Sequence, residues 1–528
     1  MAGVRVFFEG SAYSVGEGES VLETLIRGGA NVTFSCRKGT CQSCMLETVR
    51  GEPGEGAAKG LRSALVDAGM FLPCCAHPTR DLEVRRPDPA KLFTRLQLAE
   101  KEWLSPSVCR LSFEPETNLD WKAGQFVNLR RSDGVVRSYS IASIPEEDYF
   151  LTVHVKRIEG GVMSTWLCDE LEVGDAIDAQ GPIGSCYYDP ADSAKNLLLL
   201  CTGSGLSPLY GIVRDALRQG HTGEIHLFHA SKTADGLYLR DELRALAREH
   251  AQLRYTASLT QQADLPEGVV EGRVVARAFE RGPDLAGWMV YLCGIPEMVY
   301  EGRHQAVLAG AARADIRADP FEYAHPYQPD DSRKLAQIAP DPELWEALER
   351  GPGLMRILTS FYDAAFVDPR LAPFFHRVTK QRAIEQQYAF LADLFSGRRA
   401  YFGLRPFNAH HWMIISDELF DYREAAMEAV LRAYGLSEPL IRRWAAVHEL
   451  FRREIVKSSA RGMIIAGVEQ AMAPPERVVV ELPCVCDGCE AEMNVGETAR
   501  YHAHGGQLFC EACAGVPSRS RPPPSISP

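Results

Sequence analysis

The sequence predicts a multidomain protein in which an α+β unit, a small antiparallel β-barrel, an α/β unit with a parallel sheet, an all-α unit and a small metal-stapled ribbon follow one another. Three observations predict it. Up to about residue 190, apolar residues alternate in short runs such as Phe126-Val127-Asn128-Leu129 and Leu151-Thr152-Val153-His154-Val155, the period of half-buried antiparallel strands. A continuous apolar run, Leu197-Leu198-Leu199-Leu200, then feeds a glycine turn and a helical pattern, as a strand buried on both faces does. After residue 340 the apolar spacing changes to three and four, the period of a helix face.

A chain of 528 residues is too long for one core, so several folding units are required. Its net charge of −13 argues against a dominant nucleic-acid or anionic-membrane surface, so nucleic acid is not an expected partner. Residues 1–30 lack a basic start followed by an apolar core, and no apolar run reaches membrane-spanning length. The expectation is a cytoplasmic protein without a membrane partner. Most of the 15 cysteines sit at metal-ligand spacings, the usual role of clustered cysteine in that compartment.

Residues 1–90 open with Val4-Arg5-Val6-Phe7-Phe8, a turn at Gly10 and a second short strand, which read as a hairpin. Ser20 is the expected N-cap of a helix, with Glu23 completing a capping box. Then Cys36, Cys41 and Cys44 fall at C-x4-C-x2-C with Cys74 further on, the plant-type [2Fe–2S] spacing; zinc is the alternative use of four thiolates. Cys75 adjoins Cys74, and Pro78 in the run Cys74-x3-Pro78 favours Cys74 as the fourth ligand. The segment resembles the plant-type ferredoxins, which implies an α+β β-grasp fold.

Pro87-Asp88-Pro89 reads as a linker into residues 91–192. There Arg137-Ser138-Tyr139-Ser140 combines an arginine fork suited to a diphosphate, an aromatic ring able to lie against a flavin, and a hydroxyl able to bond a ring nitrogen. Gly161-Val162-Met163-Ser164 opens a helix, and Gly181-Pro182-Ile183-Gly184 makes a turn; both are phosphate-holding geometries. In this order the motifs resemble the ferredoxin reductase family. The resemblance implies an FAD-binding barrel using Arg137, Tyr139, Ser140, Gly161 and Ser164.

In residues 193–325 the buried strand ends in Cys201-Thr202-Gly203-Ser204-Gly205-Leu206-Ser207-Pro208, a strand, glycine turn and helix of the kind that cradles a nucleotide phosphate. The Gly-x-Gly-x-x-Pro form is usual in the reductase family, which implies an NAD(P)-binding site at Gly203, Gly205 and Pro208. Glu224 to His229 and Met289 to Leu292 extend the sheet, and the resemblance places Cys293 and Gly294 beside the nicotinamide. Cys293 taken alone reads equally as a buried core thiol. Ser231-Lys232 supplies one lysine for a 2′-phosphate and no arginine cluster, so NADH is favoured over NADPH. Phe321 or Tyr323 is placed to cover the flavin face, or to pack. Residues 1–325 together resemble the reductase components of bacterial multicomponent oxygenases.

Helical patterning covers Leu354 to Phe366, Ile384 to Phe395, Glu418 to Tyr434 and Leu440 to Lys457. Phe361-Tyr362-Asp363, the run Asp368 to Phe375, Gln387, and His410-His411-Trp412-Met413-Ile414-Ile415-Ser416 make residues 340–472 similar to a truncated haemoglobin. The resemblance implies haem b held by His410, with His411 as the rival one position on. Tyr362 and Gln387 would then face a diatomic ligand, with Phe374 or Phe375 at the haem edge. A helical bundle with an ordinary aromatic core is the alternative.

In residues 478–516, Cys486-x2-Cys489 and Cys510-x2-Cys513 give two knuckles for one tetrahedral zinc, with single-iron rubredoxin chemistry as the rival. Cys484, His502 and His504 are alternative ligands. The ribbon is a candidate surface for a protein partner, and residues 517–528 read as a disordered tail.

The expected activity follows from this order. NAD(P)H gives hydride to FAD, single electrons leave through the [2Fe–2S] cluster or pass directly to haem, and the haem, with Tyr362, Gln387 and His410 as its functional residues, turns over oxygen and nitric oxide as a dioxygenase does. The alternatives are a reductase serving a separate oxygenase, and a gas or redox sensor that signals through the ribbon.

Overall fold

The computed structural model describes residues 4–457 apart from 17, 35–38, 40, 55, 59–60, 62, 89–91, 118, 262–263, 323–333, 337, 376–377 and 399–403. Beyond 457 it describes residues 462–465, 468–470, 476–480, 484–486, 492–494, 496–502 and 507–510. The chain divides into two compact units, one of residues 1–15, 19–330 and 416–458, the other of residues 16–18, 331–415 and 459–528.

The first unit begins with a mixed five-stranded sheet. Strands β1 (Arg5–Phe8) and β2 (Ser11–Ser14) form the expected hairpin, and α1 (Val21–Arg27) follows. Ser20 caps α1 by accepting from the Glu23 amide at 3.3 Å, while the Glu23 carboxylate accepts from the Ser20 amide at 3.3 Å, the reciprocal box foreseen in the sequence. With β3 (Leu46–Arg50), β4 (Met70–Phe71) and β5 (Leu82–Arg85) the order is β2-β1-β5-β3-β4, and β1 pairs with β5 in parallel, Val6 against Leu82. Val6, Leu22, Leu25, Phe71 and Leu82 are fully buried beneath the sheet.

Six antiparallel strands follow: β6 (Thr94–Ser105), β7 (Val108–Pro115), β8 (Phe126–Arg130), β9 (Val136–Ser140), β10 (Leu151–Lys156) and β11 (Ala176–Ile183). Their order is β10-β7-β6-β11-β8-β9, and a bridge between Ile141 and Val153 joins the two ends, so the sheet closes on itself. Alternate residues Val127, Leu129, Val153 and Val155 fill the inside, as their spacing predicts.

The third layer is an all-parallel sheet of β12 (Leu197–Thr202), β13 (Ile225–Ser231), β14 (Leu253–Leu259), β15 (Val269–Glu271), β16 (Met289–Gly294) and β17 (Ile316–Pro320) in the order β15-β14-β13-β12-β16-β17. Helix α2 (Leu206–Arg218) leaves the end of β12, and α3 (Pro296–Leu308) leaves the end of β16. The strand order reverses between β12 and β16, and crevices for ligands open at the carboxyl ends of strands at such a switch.

The helices foreseen after residue 340 are present as α4 (Pro352–Ala365), α5 (Lys380–Ser396), α6 (Asp417–Tyr434) and α7 (Glu438–Leu450). They do not group together, although the sequence suggested a single domain over residues 340–472. Helices α6 and α7 belong with the first unit, and α4 and α5 with the second. The reason is visible at α3: Ala445 of α7 joins the apolar cluster of Leu292, Val299 and Ala306. Around it lies a buried ion network. Arg303 Nε meets Glu449 Oε1 at 2.9 Å, and Arg452 Nε meets the same oxygen at 2.6 Å. Arg313 pairs with Glu428 at 2.5 Å, and Arg452 Nη1 with Asp417 at 2.8 Å.

In the second unit the described residues show α4 against α5, short hairpins such as Met463–Ile465 with Val468–Gln470, and a three-stranded sheet of Glu476–Val479, Thr498–His502 and Gln507–Cys510. No helix among the described residues is long and apolar enough to cross a membrane.

Candidate functional site

The two central motifs meet at the carboxyl end of β9. Ser207, at the start of α2, donates its hydroxyl to the Ser140 carbonyl at 3.1 Å, and the same hydroxyl oxygen accepts from the His154 amide at 3.3 Å. Ser140 in turn donates its own hydroxyl to Asp319 Oδ2 at 3.2 Å. Barrel and parallel sheet are therefore stitched together at the serine that closes Arg137-Ser138-Tyr139-Ser140. Tyr139 packs on the barrel core, and an Arg137 guanidinium nitrogen donates to the Val136 carbonyl at 2.7 Å.

Gly161 and Ser164 lie together at the start of the short helix Val162–Thr165. The Ser164 hydroxyl accepts from the Ile158 amide at 3.2 Å and donates to the Gly161 carbonyl at 3.4 Å, so it holds the turn that presents the helix end.

The glycine loop after β12 shows why its residues are small. Gly203 has φ +53°, and a Cβ there would meet only the Lys156 ammonium at 3.7 Å, so the loop backbone faces open space beside a cation, a fit for a phosphate. A Cβ on Gly205 would lie 2.2 Å from the Cys293 carbonyl, which means that loop and β16 touch backbone to backbone. Cys293 is fully buried, its thiol 3.8 Å from that of Cys186, and burial pushes it well above the usual thiol range. That environment is the one expected of a core thiol, positioned by β16 under the loop. Gly294 follows at φ +135°, and Pro208 is buried in the first turn of α2.

Of the cysteines meant for the cluster, Cys41, Cys44 and Cys74 are all buried, and Cys74 lies within hydrogen-bonding reach of Cys44. Cys36 lies outside the described residues. Cys75 is less buried, with its thiol 3.7 Å from Cys74. Gly39 takes φ +78°, which lets the loop curl around the thiols. Buried thiols beside a glycine-bent loop are the donor type that an iron–sulfur group takes.

Residue 128 was not singled out from the sequence. Asn128 on β8 is fully buried, donates to the Cys41 carbonyl at 2.5 Å and to Gln180 Oε1 at 3.0 Å, and accepts from the Ser138 hydroxyl at 2.8 Å. Asp319, Ser207 and Gln180 were missed as well. Asp319 and Gln180 share their strands with Arg317 and Asp178, and Ser207 opens a helix, so nothing local marks any of the three.

In the second unit the Tyr362 hydroxyl donates to Gln387 Oε1 at 2.7 Å, bringing together the two residues expected to share a pocket. Phe366 and Phe375 stack at 4.6 Å beside them. His410 and His411 both use Nδ1 toward a backbone carbonyl, of Pro406 at 2.8 Å and of Asn408 at 2.7 Å, and His411 is the more buried. The Cys510 amide donates to Cys486 Sγ at 3.3 Å, so two of the ribbon cysteines adjoin; Cys489 and Cys513 lie outside the described residues, as do Tyr323 and His504. Among the described residues no three potential ligands converge on one point as a preformed metal site.

Comparison with known proteins bears on the first unit. Residues 6–79 match the 2Fe-2S iron-sulfur cluster binding domain, residues 95–188 the oxidoreductase FAD-binding domain, and residues 199–303 the oxidoreductase NAD-binding domain. The chain is 34% identical over 301 residues to the reductase subunit of an aromatic O-demethylase from Amycolatopsis, covering 54% of this chain and 88% of that protein. It is 31% identical over 308 residues to the reductase component of phenol 2-monooxygenase from Pseudomonas, covering 55% and 86%. A solved structure, the ferredoxin reductase in carbazole 1,9a-dioxygenase, aligns at 23% identity with a TM-score of 0.42 over 60% of this chain and 98% of that one. The chain belongs to the family of NAD(P)H-dependent oxidoreductases with FAD and [2Fe–2S] domains whose relatives are named as reductase components of oxygenase systems.

Proposed function

We propose that the protein takes hydride from NADH and delivers single electrons, through its cluster domain, to an oxygenase-type acceptor. The observation that carries this reading is the Ser140–Ser207 hydrogen bond, which sets the flavin motif against the nucleotide loop with nothing between them. FAD, when bound, accepts a hydride and releases electrons singly. Arg137, Tyr139, Ser140, Gly161 and Ser164 would hold the FAD, and Gly203, Gly205 and Pro208, with Cys293 and Gly294, would shape the nucleotide cradle. Lys156 and Lys232 are the cations beside that cradle, and a lone pair of lysines favours NADH over its 2′-phosphorylated form. Cys36, Cys41, Cys44 and Cys74 would hold the cluster.

A second reading places the acceptor in the same chain. The Tyr362–Gln387 bond inside an aromatic pocket supports a haem held by His410, and fusion raises the local concentration of donor and acceptor. Nitric oxide oxidised to nitrate would then be the turnover, with Cys486, Cys489, Cys510 and Cys513 holding zinc in a separate ribbon open to a protein partner. One experiment separates the two. Purified protein given NADH, oxygen and nitric oxide is assayed for nitrate and, separately, for reduction of cytochrome c. Cytochrome c reduction without multiple-turnover nitrate supports the reductase reading. Sustained nitrate with a haem absorption band supports the fused acceptor, and failure of both refutes the pair.

A further inference from the structure

We propose that Asn128 is a positioning residue for electron transfer, clamping the cluster loop to the flavin strand so that the gap between cluster and flavin is fixed. The inference deepens the reading above and rests on its order, NADH to FAD to [2Fe–2S].

Asn128 stands in the middle of a row that crosses three adjacent strands. Its register partner on β9 is Ser138 and its partner on β11 is Gln180. Val127 and Leu129, on either side of it, point into the barrel, so Asn128 points outward, where strand alternation normally delivers a side chain to water. Instead it is fully buried, and Gln180 is nearly so. The cover is the cluster loop: the Asn128 amide donates one proton to the Cys41 carbonyl and the other to Gln180, while its oxygen accepts from Ser138.

Burying an amide is costly unless every polar atom is paired, and here each one is. The pairing also fixes which way the amide faces, because only its nitrogen can donate to a carbonyl. The result is an unbroken connection from Cys41, a cluster thiol, through Asn128 to Ser138, whose chain neighbours Arg137 and Tyr139 are the flavin residues. An apolar residue would fill the same space without setting the register of the loop.

The step concerned moves one electron and no atoms. Reduced flavin is oxidised by one electron, one ferric iron of the cluster is reduced by it, and the second electron follows in a second event. Such a step depends on the distance held between donor and acceptor, which is what a hydrogen-bonded clamp controls.

The test is Asn128→Asp, which keeps shape and the bond from Ser138 but cannot donate to Cys41. Stopped-flow spectra of the loaded protein with NADH are expected to show the flavin-to-cluster step slowed by about tenfold or more, because misplacement on the scale of an ångström has effects of this size. The ratio of ferricyanide to cytochrome c turnover should rise with it. Independently of turnover, amide hydrogen exchange in the loop from Cys41 to Met45 should quicken while the cluster's electron paramagnetic resonance amplitude is retained. If Asn128→Asp does not hold the cluster, Gln180→Leu removes one anchor of the amide and should slow the same step to a lesser degree. The proposal is overturned if loaded variants reduce the cluster at the wild-type rate, or if flavin reduction by NADH falls as much as the later step. A wild-type cluster that NADH leaves oxidised would overturn the electron order itself, a different result from an unaffected Asn128 variant.

Discussion

Ser140 and Asp319 share a hydrogen bond of 3.2 Å between the last residue of the flavin strand and the strand paired with Cys293. Burial raises the Asp319 carboxyl to about 6, against the lowering effect of the Ser140 hydroxyl. A carboxyl poised there changes its proton within the working range of an enzyme. Flavin reduction by NADH, followed by stopped flow, should therefore bend near that value, and Asp319→Asn should remove the bend. The sign for stability is the reverse of a salt-bridged acid: the contribution is full below about 3.9 and is lost as pH rises through about 6.

Gly205→Ala should be far more damaging than its single added carbon suggests. Its Cβ would sit 2.2 Å from the Cys293 carbonyl, so backbone has to move at the nucleotide cradle. The expected result is NADH-driven flavin reduction slowed by about tenfold or more with FAD retained, read by stopped flow beside a fluorescence measurement of bound flavin.

The ion network at α3 and α7 predicts a large loss for one substitution. Arg452→Met removes the closest partner of a fully buried carboxylate, and breaking such a pair costs about 3 kcal/mol. Denaturant unfolding of the full chain should show it. Burial pushes the Glu449 carboxyl up, but Arg452 and Arg303 overcome this and hold it at about 2. Its contribution is present above about 4.3 and fades as pH falls toward about 2.

Two histidines add a second acid sensitivity. Burial lowers His154 to about 3 and His229 to about 4, so both stay neutral in the folded chain while the unfolded chain takes up protons below about 6.5. Stability should fall on acidification between those values, by about 1.4 kcal/mol per pH unit for each ring. Tyr238 stands at 3.3 Å from His154, and His154→Gln should flatten the slope in thermal scans across that range.

Metal content offers a direct check. Cys41→Ser should abolish the visible and paramagnetic signals of the cluster while leaving flavin in place, because the two groups are held by different domains. Loss of both together would place Cys41 in the stability of the whole unit.

The parts legible in the sequence were those set by local pattern. Alternation located β8 and β10, the capping box placed α1, and the apolar run Leu197 to Leu200 gave a strand buried on both faces. Spacing, with Pro78 deciding between Cys74 and Cys75, selected Cys36, Cys41, Cys44 and Cys74, and the structure buries the last three. What local pattern could not carry was burial imposed by another domain. Asn128 reads as a solvent-facing strand residue until the Cys41 loop covers it. Asp319 reads as the end of a strand until Ser140, 179 residues earlier, meets it. The grouping of α6 and α7 was hidden for a related reason: their charged residues Glu424 and Glu449 look like solvated helix faces until Arg303 and Arg313 appear opposite.

Because Arg303 and Arg313 pair with residues of α6 and α7, which follow residues 331–415 in sequence, the chain leaves the reductase and later comes back to it. The intervening stretch is thus an insertion anchored at both ends, not a passenger trailing from one. A protease that nicked the polypeptide between residues 322 and 341 would produce two fragments that still hold each other, as the halves of a split protein do. Electrophoresis in detergent would separate them, and gel filtration in native buffer would not.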